Sequence, residues 1–140
     1  MKKIVFLIAI LVFGNTVMAQ PIIGKWQKIS EANVFQGEKF DSHKALLSTK
    51  PCAAAFFYEI NADGTFRLNT SKSSCDEGYK KIQQKLYSKT NWQLKGNKLT
   101  ISSIKNFVVG QTYEVIIKGN TMTWIGTDGQ GTLTYTKLTN

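Results

Sequence analysis

Short turns and long connections alternate along this chain, and that alternation limits the folds open to it more than any single residue does. Asn61-Ala62-Asp63-Gly64, Lys95-Gly96-Asn97 and Lys118-Gly119-Asn120 each separate two runs of alternating apolar and polar residues. Gly and Asn supply the positive φ that tight hairpins need. Between these turns lie longer stretches at 31–52, 70–85, 104–110 and 127–131. In an up-and-down antiparallel sheet every other connection falls at the same end. The tight turns therefore close one end and the long connections rim the other, which describes a cup with a mouth.

Counting alternation gives eight strands. The first runs from Lys25 to Ser30, the second from Ala53 to Ile60 and the third from Thr65 to Asn69. The fourth ends in Trp92 and Leu94, and its start is open because Tyr79 to Ser88 fits a short helix and a strand equally well. Lys98–Ser103, Gln111–Lys118, Thr121–Gly126 and Thr132–Leu138 complete the set. Threonines on the polar faces suit strands wetted on one side. One short helix is expected around Asp41 to Ser48, capped by Asp41 or Ser42, inside the first long loop. The expected fold is all-β: an eight-stranded antiparallel up-and-down barrel with that single helix.

Lys2 and Lys3 precede an uncharged apolar stretch, Ile4 to Phe13, and small residues reach Ala19. This is the pattern of an export signal, 1–19, and not of a membrane anchor. It leaves residues 20–140 as one domain, bound for the periplasm or the medium. The formal charge is +9, and removing Lys2 and Lys3 leaves +7. Lysines are spread through most strands, which reads as a solvated basic surface. An exported protein rarely meets nucleic acid, so none is expected as a partner. A local excess at Lys72, Lys80, Lys81, Lys85 and Lys89 would favour an anionic guest if it borders the mouth.

Cys52 and Cys75 are the two cysteines of a chain sent to an oxidising compartment, so a disulfide is expected. Cys52 precedes the second strand and Cys75 follows the third, which puts both at the mouth. A metal site lacks ligands because His43 is the sole histidine. His43 and Asp41 lie two positions apart on a short helix and do not face each other. His43 reads as an exposed loop residue. No nucleophile, phosphate loop or carboxylate pair stands in a catalytic spacing, so neither an enzyme nor a cofactor is expected.

Gly24-Lys25-Trp26 opens the first strand just after the export signal, and Leu133-Thr-Tyr-Thr-Lys137-Leu138 closes the last. With the Phe57–Phe66 hairpin and the two Gly-Asn hairpins, the mature chain resembles a short exported bacterial lipocalin-like domain. Gly24 and Trp26 match the Gly-x-Trp signature of lipocalins, and Thr127-Asp128-Gly129 echoes their second motif. Lipocalins generally carry an Arg on the last strand that packs across the signature Trp. Lys137 holds that place here, and its stem over the indole would add a cation–π contribution of about 0.5–1 kcal/mol. The resemblance implies a binding barrel but no particular ligand.

The inward aromatics are the candidate contacts. A barrel of this size can be packed solid or can hold one small guest. Those nearest the mouth are Phe56, Tyr58, Tyr113 and Trp124, with Leu68 behind them. The function expected is a monomer that holds a small hydrophobic or amphipathic molecule, with any anionic head near the mouth lysines. The alternative is a protein-interaction or inhibitor module that uses the apolar rim residues Phe35, Phe40, Phe107 and Val108 on a ligand-free barrel.

Overall fold

The computed structural model describes residues 20–139, so the expected export signal lies outside the described residues. The chain forms an antiparallel, nearly closed eight-stranded barrel. Its strands are β1 (Gly24–Phe35), β3 (Phe57–Ile60), β4 (Phe66–Asn69), β5 (Asn91–Lys95), β6 (Lys98–Ser102), β7 (Gln111–Lys118), β8 (Thr121–Gly126) and β9 (Thr132–Lys137). They neighbour one another in the order β4-β3-β1-β9-β8-β7-β6-β5. Every pairing is antiparallel. A further short strand, β2 (Glu38–Asp41), pairs only with the far end of β1.

The tight turns lie where expected. Gly96 and Gly119 take φ of +61° and +57° in their hairpins. The Lys137 amide donates to Asn120 O at 2.8 Å, which places the end of β9 beside the β7–β8 turn. That end is densely packed: Ile22, Trp26, Ile60, Leu99 and Met122 are at most 1% exposed. Trp26 Nε1 donates to Ile22 O at 2.9 Å, and Lys137 Nζ stands 5.4 Å from the Trp26 ring centroid. Gly24 has φ +148°, and a Cβ there would meet Lys137 Cε at 3.1 Å. Only glycine lets the lysine lie across the indole without strain. Pro21, Leu94, Asn97, Val115 and Ile117 border a separate apolar recess of about 230 Å³ at this end.

Three expectations need correction. The barrel carries two helices, α1 (Ser42–Thr49) and α2 (Glu77–Tyr87), and not one. The ambiguous Tyr79–Ser88 stretch is helical because Asp76 caps it, accepting from the Tyr79 amide at 2.9 Å, and because no β-branched run interrupts it beyond Ile82. The first long connection is also more structured than a loop. It begins with a β1–β2 hairpin turned by Gln36 and Gly37, whose φ values are +50° and +82°. The second strand starts later than Ala53, because Pro51 to Ala55 form a 3₁₀ turn.

Closure depends on the seam between β4 and β5. A single bridge, Thr65 to Asn91, joins them, with Phe66 N to Thr90 O and Trp92 N to Gly64 O at 3.0 Å each. Above it the strands part and α2 occupies the gap. Arg67 Nη1 stitches the seam by donating to Thr90 O at 2.6 Å, Phe66 O at 2.9 Å and Tyr87 O at 3.4 Å. At the mouth, Cys52 and Cys75 form the disulfide with Cα atoms 5.1 Å apart and a sequence separation of 23. The bridge ties the 3₁₀ turn before β3 to the connection that leads into α2. Ser73 strengthens the tie by donating to Cys52 O at 2.8 Å and accepting from the Cys75 amide at 3.0 Å.

Candidate functional site

A bulge in β1 builds the site. Lys28 pairs with Tyr135 of β9, but Ser30 pairs with Thr134, so Ile29 is the extra residue. Strict alternation would turn Lys28 inward and Glu31 outward. With the bulge, Glu31 sits opposite the buried Leu133 and shares the inner face with Lys28. Their side chains form an ion pair at 2.8 Å and are 14% and 31% exposed. Lys28 Nζ also lies 5.5 Å from the Tyr58 ring centroid. A charged pair is thereby held inside the mouth of a barrel.

Two adjoining spaces share Lys28 and Tyr58. The outer one is a cleft of about 250 Å³ with Leu46, Ala53, Phe56 and Leu68 among its walls and His43, Ser42 and Gln83 at its polar side. The inner one is a chamber of about 80 Å³. Five rings crowd it: Tyr58, Phe66, Tyr113, Trp124 and Tyr135 are linked through centroid distances of 4.8 to 5.9 Å. A sixth, Tyr87, enters from α2 and lies 5.5 Å from Tyr58.

Asp41 positions the outer wall. Its carboxylate caps α1 by accepting from the Lys44 amide at 3.0 Å and fastens α1 to β1 by accepting from the Glu31 amide at 3.1 Å. Burial raises its pKa, but the amide donors outweigh that and hold the carboxyl below the usual range. Ser42 Oγ donates to Glu31 O at 3.3 Å and accepts from Asn33 Nδ2 at 2.9 Å. It serves as a backbone fastener. On α2, Tyr79, Gln83 and Tyr87 recur at helical spacing along the face turned to the barrel. Tyr79 stacks on Phe56 with centroids 6.1 Å apart, Gln83 lines the cleft and Tyr87 reaches the core.

Burial governs the electrostatics. It holds the His43 imidazole below the ordinary histidine range; the Lys28 charge acts in the same direction, and Asp41 and Glu31 oppose it only in part. His43 is therefore a neutral, half-buried wall residue and not the exposed loop histidine that spacing suggested. Burial likewise pushes the Tyr58 phenol up to about 12, although a hydrogen bond with the Tyr87 hydroxyl pulls the other way. Tyr87, Tyr113 and Tyr135 are raised by burial as well. Trp124 is 3% exposed, and its Nε1–H has no hydrogen-bond partner.

Of the residues singled out by sequence, Phe56, Tyr58 and Leu68 border the outer cleft. Tyr58, Tyr113 and Trp124 border the inner chamber. Lys28, Glu31, His43 and Tyr87 belong to the same spaces and were not singled out by sequence, although alternation from Trp26 points Lys28 inward. The bulge hides Glu31, and the helix of Tyr87 was unresolved between two readings. The basic stretch is spent locally in part. Lys80 pairs with Glu77 at 2.9 Å, and Lys72 Nζ lies 5.6 Å from the Phe57 ring centroid. The rim is apolar and open: Val34, Phe35, Ile82, Leu86, Val108 and Val109 are each more than 60% exposed. Phe40 is 48% exposed, and Phe107 is half-buried. Among the described residues no cluster of His, Cys, Asp or Glu is placed to hold a metal. None of the described helices is long and apolar enough to cross a membrane.

No curated protein and no solved structure matches the chain. A family model described as a lipocalin-like domain matches residues 22–124. That span begins just before Gly24 and Trp26, takes in the strands from β1 to β7 and reaches Trp124 in β8. The Lys137 clamp on Trp26 and the nearly closed antiparallel barrel agree with it, and the chain belongs to the lipocalin-like domain family.

Proposed function

We propose that this protein is an exported, non-catalytic binding protein that holds one small apolar or amphipathic molecule at the barrel mouth. The observation that carries the reading is the pair of adjoining spaces that share Lys28 and Tyr58. Together they reach the lower end of the roughly 300–1,000 Å³ typical of small-molecule sites. A medium-chain or single-ring guest suits them, and a haem-sized one does not. Phe56, Leu68 and Tyr58 would hold its apolar part, and Tyr113 and Trp124 would meet its inner end. The driving force is removal of apolar surface from water at roughly 25 cal/mol per Å². After the cost of association, a guest this small binds with a Kd on the order of 1–100 µM. The disulfide and the N-terminal pattern support an oxidising compartment, either periplasm or medium, and the protein acts as a monomer.

Native mass spectrometry of residues 20–140, purified from an exporting host with parallel solvent extraction, tests this. A single extractable compound that accounts for excess mass supports the reading. A bare polypeptide that also takes up none of a panel of medium-chain ketones, alcohols and acids refutes it. A second reading has its own observation, the exposed apolar rim, with Val108 at 92% and Phe35 at 64% exposure. A barrel that stays empty in that experiment would favour a rim surface that docks another exported protein.

A further inference from the structure

One stretch of the outer surface gathers exposed apolar side chains from two separate elements. Ile82 and Leu86, each 62% exposed, lie four positions apart on one row of α2. Leu86 borders a groove of about 330 Å³ that Val109, from the 3₁₀ turn Phe107–Val109, borders as well. Val108 beside it is 92% exposed, and Ile104 in the same connection is 54% exposed. Side chains this open add little to the core, and a patch of them marks a surface for a partner. Tyr87, Ile101 and Gln111 line both this groove and the inner chamber, so the patch covers the wall beside that chamber.

Cations frame the patch. Lys81 and Lys85, both exposed, form the neighbouring row of α2, one position before Ile82 and Leu86. Ile104 lines a cleft of about 550 Å³ together with Arg67, Lys89 and Lys105, and Ser103 borders both that cleft and the groove. No Asp or Glu lines either space. Among the described residues the ion pairs are Lys28–Glu31 and Lys80–Glu77, which leaves Lys81, Lys85, Lys89 and Lys105 uncommitted.

Charge of one sign around protruding apolar tips says what covers them. A protein partner would have to offer acidic groups and a matched pocket for each tip. An anionic bilayer needs no matched shape: apolar tips enter below the headgroups, and lysine stems carry their ammonium groups back to the phosphates. We infer that the face formed by the outer rows of α2 and the 104–109 connection docks on the surface of an anionic phospholipid bilayer. Ile82, Leu86, Val108 and Val109 enter the headgroup–acyl boundary, and Lys81, Lys85, Lys89 and Lys105 pair with lipid phosphates. This holds whether or not the mouth carries a guest.

The test is co-sedimentation of the protein, purified from an exporting host, with vesicles of equimolar phosphatidylglycerol and phosphatidylcholine or of phosphatidylcholine alone. The expected result is partition onto the anionic vesicles, weakening with added salt, and none onto phosphatidylcholine. Lys81→Gln, Lys85→Gln, Lys89→Gln and Lys105→Gln should each weaken it roughly 5-fold, the contribution of one basic residue near an anionic surface. Leu86→Ser combined with Val108→Ser should weaken it roughly 10-fold, and both positions are exposed, so the barrel is retained. A basic protein also adheres to anionic vesicles through charge alone, and a second readout separates the two cases. With a nitroxide-labelled lipid present, the Leu86, Val108 and Val109 amide peaks should broaden more than those of Gly96 and Gly119 at the closed end. Uniform broadening, with the double serine variant bound as tightly as wild type, overturns the inference. Absence of partition onto the anionic vesicles overturns it too and leaves the patch to a protein partner. Neither failure touches the reading of the mouth.

Discussion

Replacing Arg67 with methionine tests how this barrel closes. Arg67 Nη1 carries two hydrogens, and three carbonyls converge on it, with Thr90 O at 2.6 Å and Phe66 O at 2.9 Å the close ones. Thr90 O also accepts from the Phe66 amide at 3.0 Å, so the guanidinium reinforces one of the two backbone bonds across the seam. Hydrogen bonds from a charged donor contribute about 1.5–3 kcal/mol each when shielded. Arg67 is half-buried, and water can reach the freed carbonyls, so the net loss is about 2 kcal/mol. Methionine keeps the packing of the stem and removes only the donors. For a domain of this size the melting temperature should fall by roughly 6–10 °C. Hydrogen exchange at the Phe66 and Trp92 amides should accelerate more than at Met122, because the seam opens before the sheet. A shift under about 2 °C, with exchange at those two amides unchanged, would show that α2 and the bridge hold the seam unaided.

Three further outcomes follow from single contacts. Asp41→Ala should cost about 1–2 kcal/mol in urea unfolding, as loss of a cap does. The wild-type carboxyl is held below its usual value, so its contribution is present above about pH 4 and is lost as pH falls through the folded value; the variant's acid limb should be flatter. His43, the only histidine, should titrate by NMR with a midpoint below about 6.5. Because its folded pKa is depressed, the stability it contributes is present above the unfolded value and lost on acidification, and His43→Gln should remove that dependence; a midpoint at or above the ordinary value refutes the buried wall position. Gly24→Ala should cost about 1–3 kcal/mol, since it combines a positive φ with a contact to Lys137 Cε; a loss too small to measure in thermal melts would mean that the first strand shifts freely.

The barrel was legible because its turns are made of residues with few alternatives. Gly64, Gly96 and Gly119, each at positive φ beside an Asp or Asn, fix where a hairpin reverses, and the period-two pattern then fixes which face is inward. The β1–β2 hairpin escaped notice because Gln36, at its first turn position, seldom takes positive φ. The inward aromatics Tyr58, Tyr113 and Trp124 were found by counting alternate positions in strands without irregularity. Lys28 falls on the same inward count from Trp26 but is charged and was not singled out, and Glu31 was missed because a bulge at Ile29 resets the count and nothing in the Lys-Ile-Ser-Glu sequence marks it. The disulfide needed only compartment and cysteine number. The wall formed by α1 and α2 could not be read, because helix-to-barrel docking depends on long-range bonds such as Asp41 to the Glu31 amide.

The two ends of the barrel differ in how well they obey the rule that apolar groups go inside. At the closed end the rule holds, with Ile22, Trp26, Ile60, Leu99 and Met122 sealed from water and the Trp26 donor satisfied. Towards the mouth, within one short stretch, it fails repeatedly: an ion pair faces inward, phenols crowd one another, and an indole donor is left unpaired. Each departure destabilises the fold relative to a leucine or phenylalanine in its place. A scaffold needing only stability would carry them on the outer face, where the threonines of β8 and β9 already stand. Their concentration around one chamber and the cleft that adjoins it points to selection for what enters there. An all-apolar mouth of equal size would hold any greasy guest, whereas charged and polar groups set among the rings give this one the means to discriminate between guests.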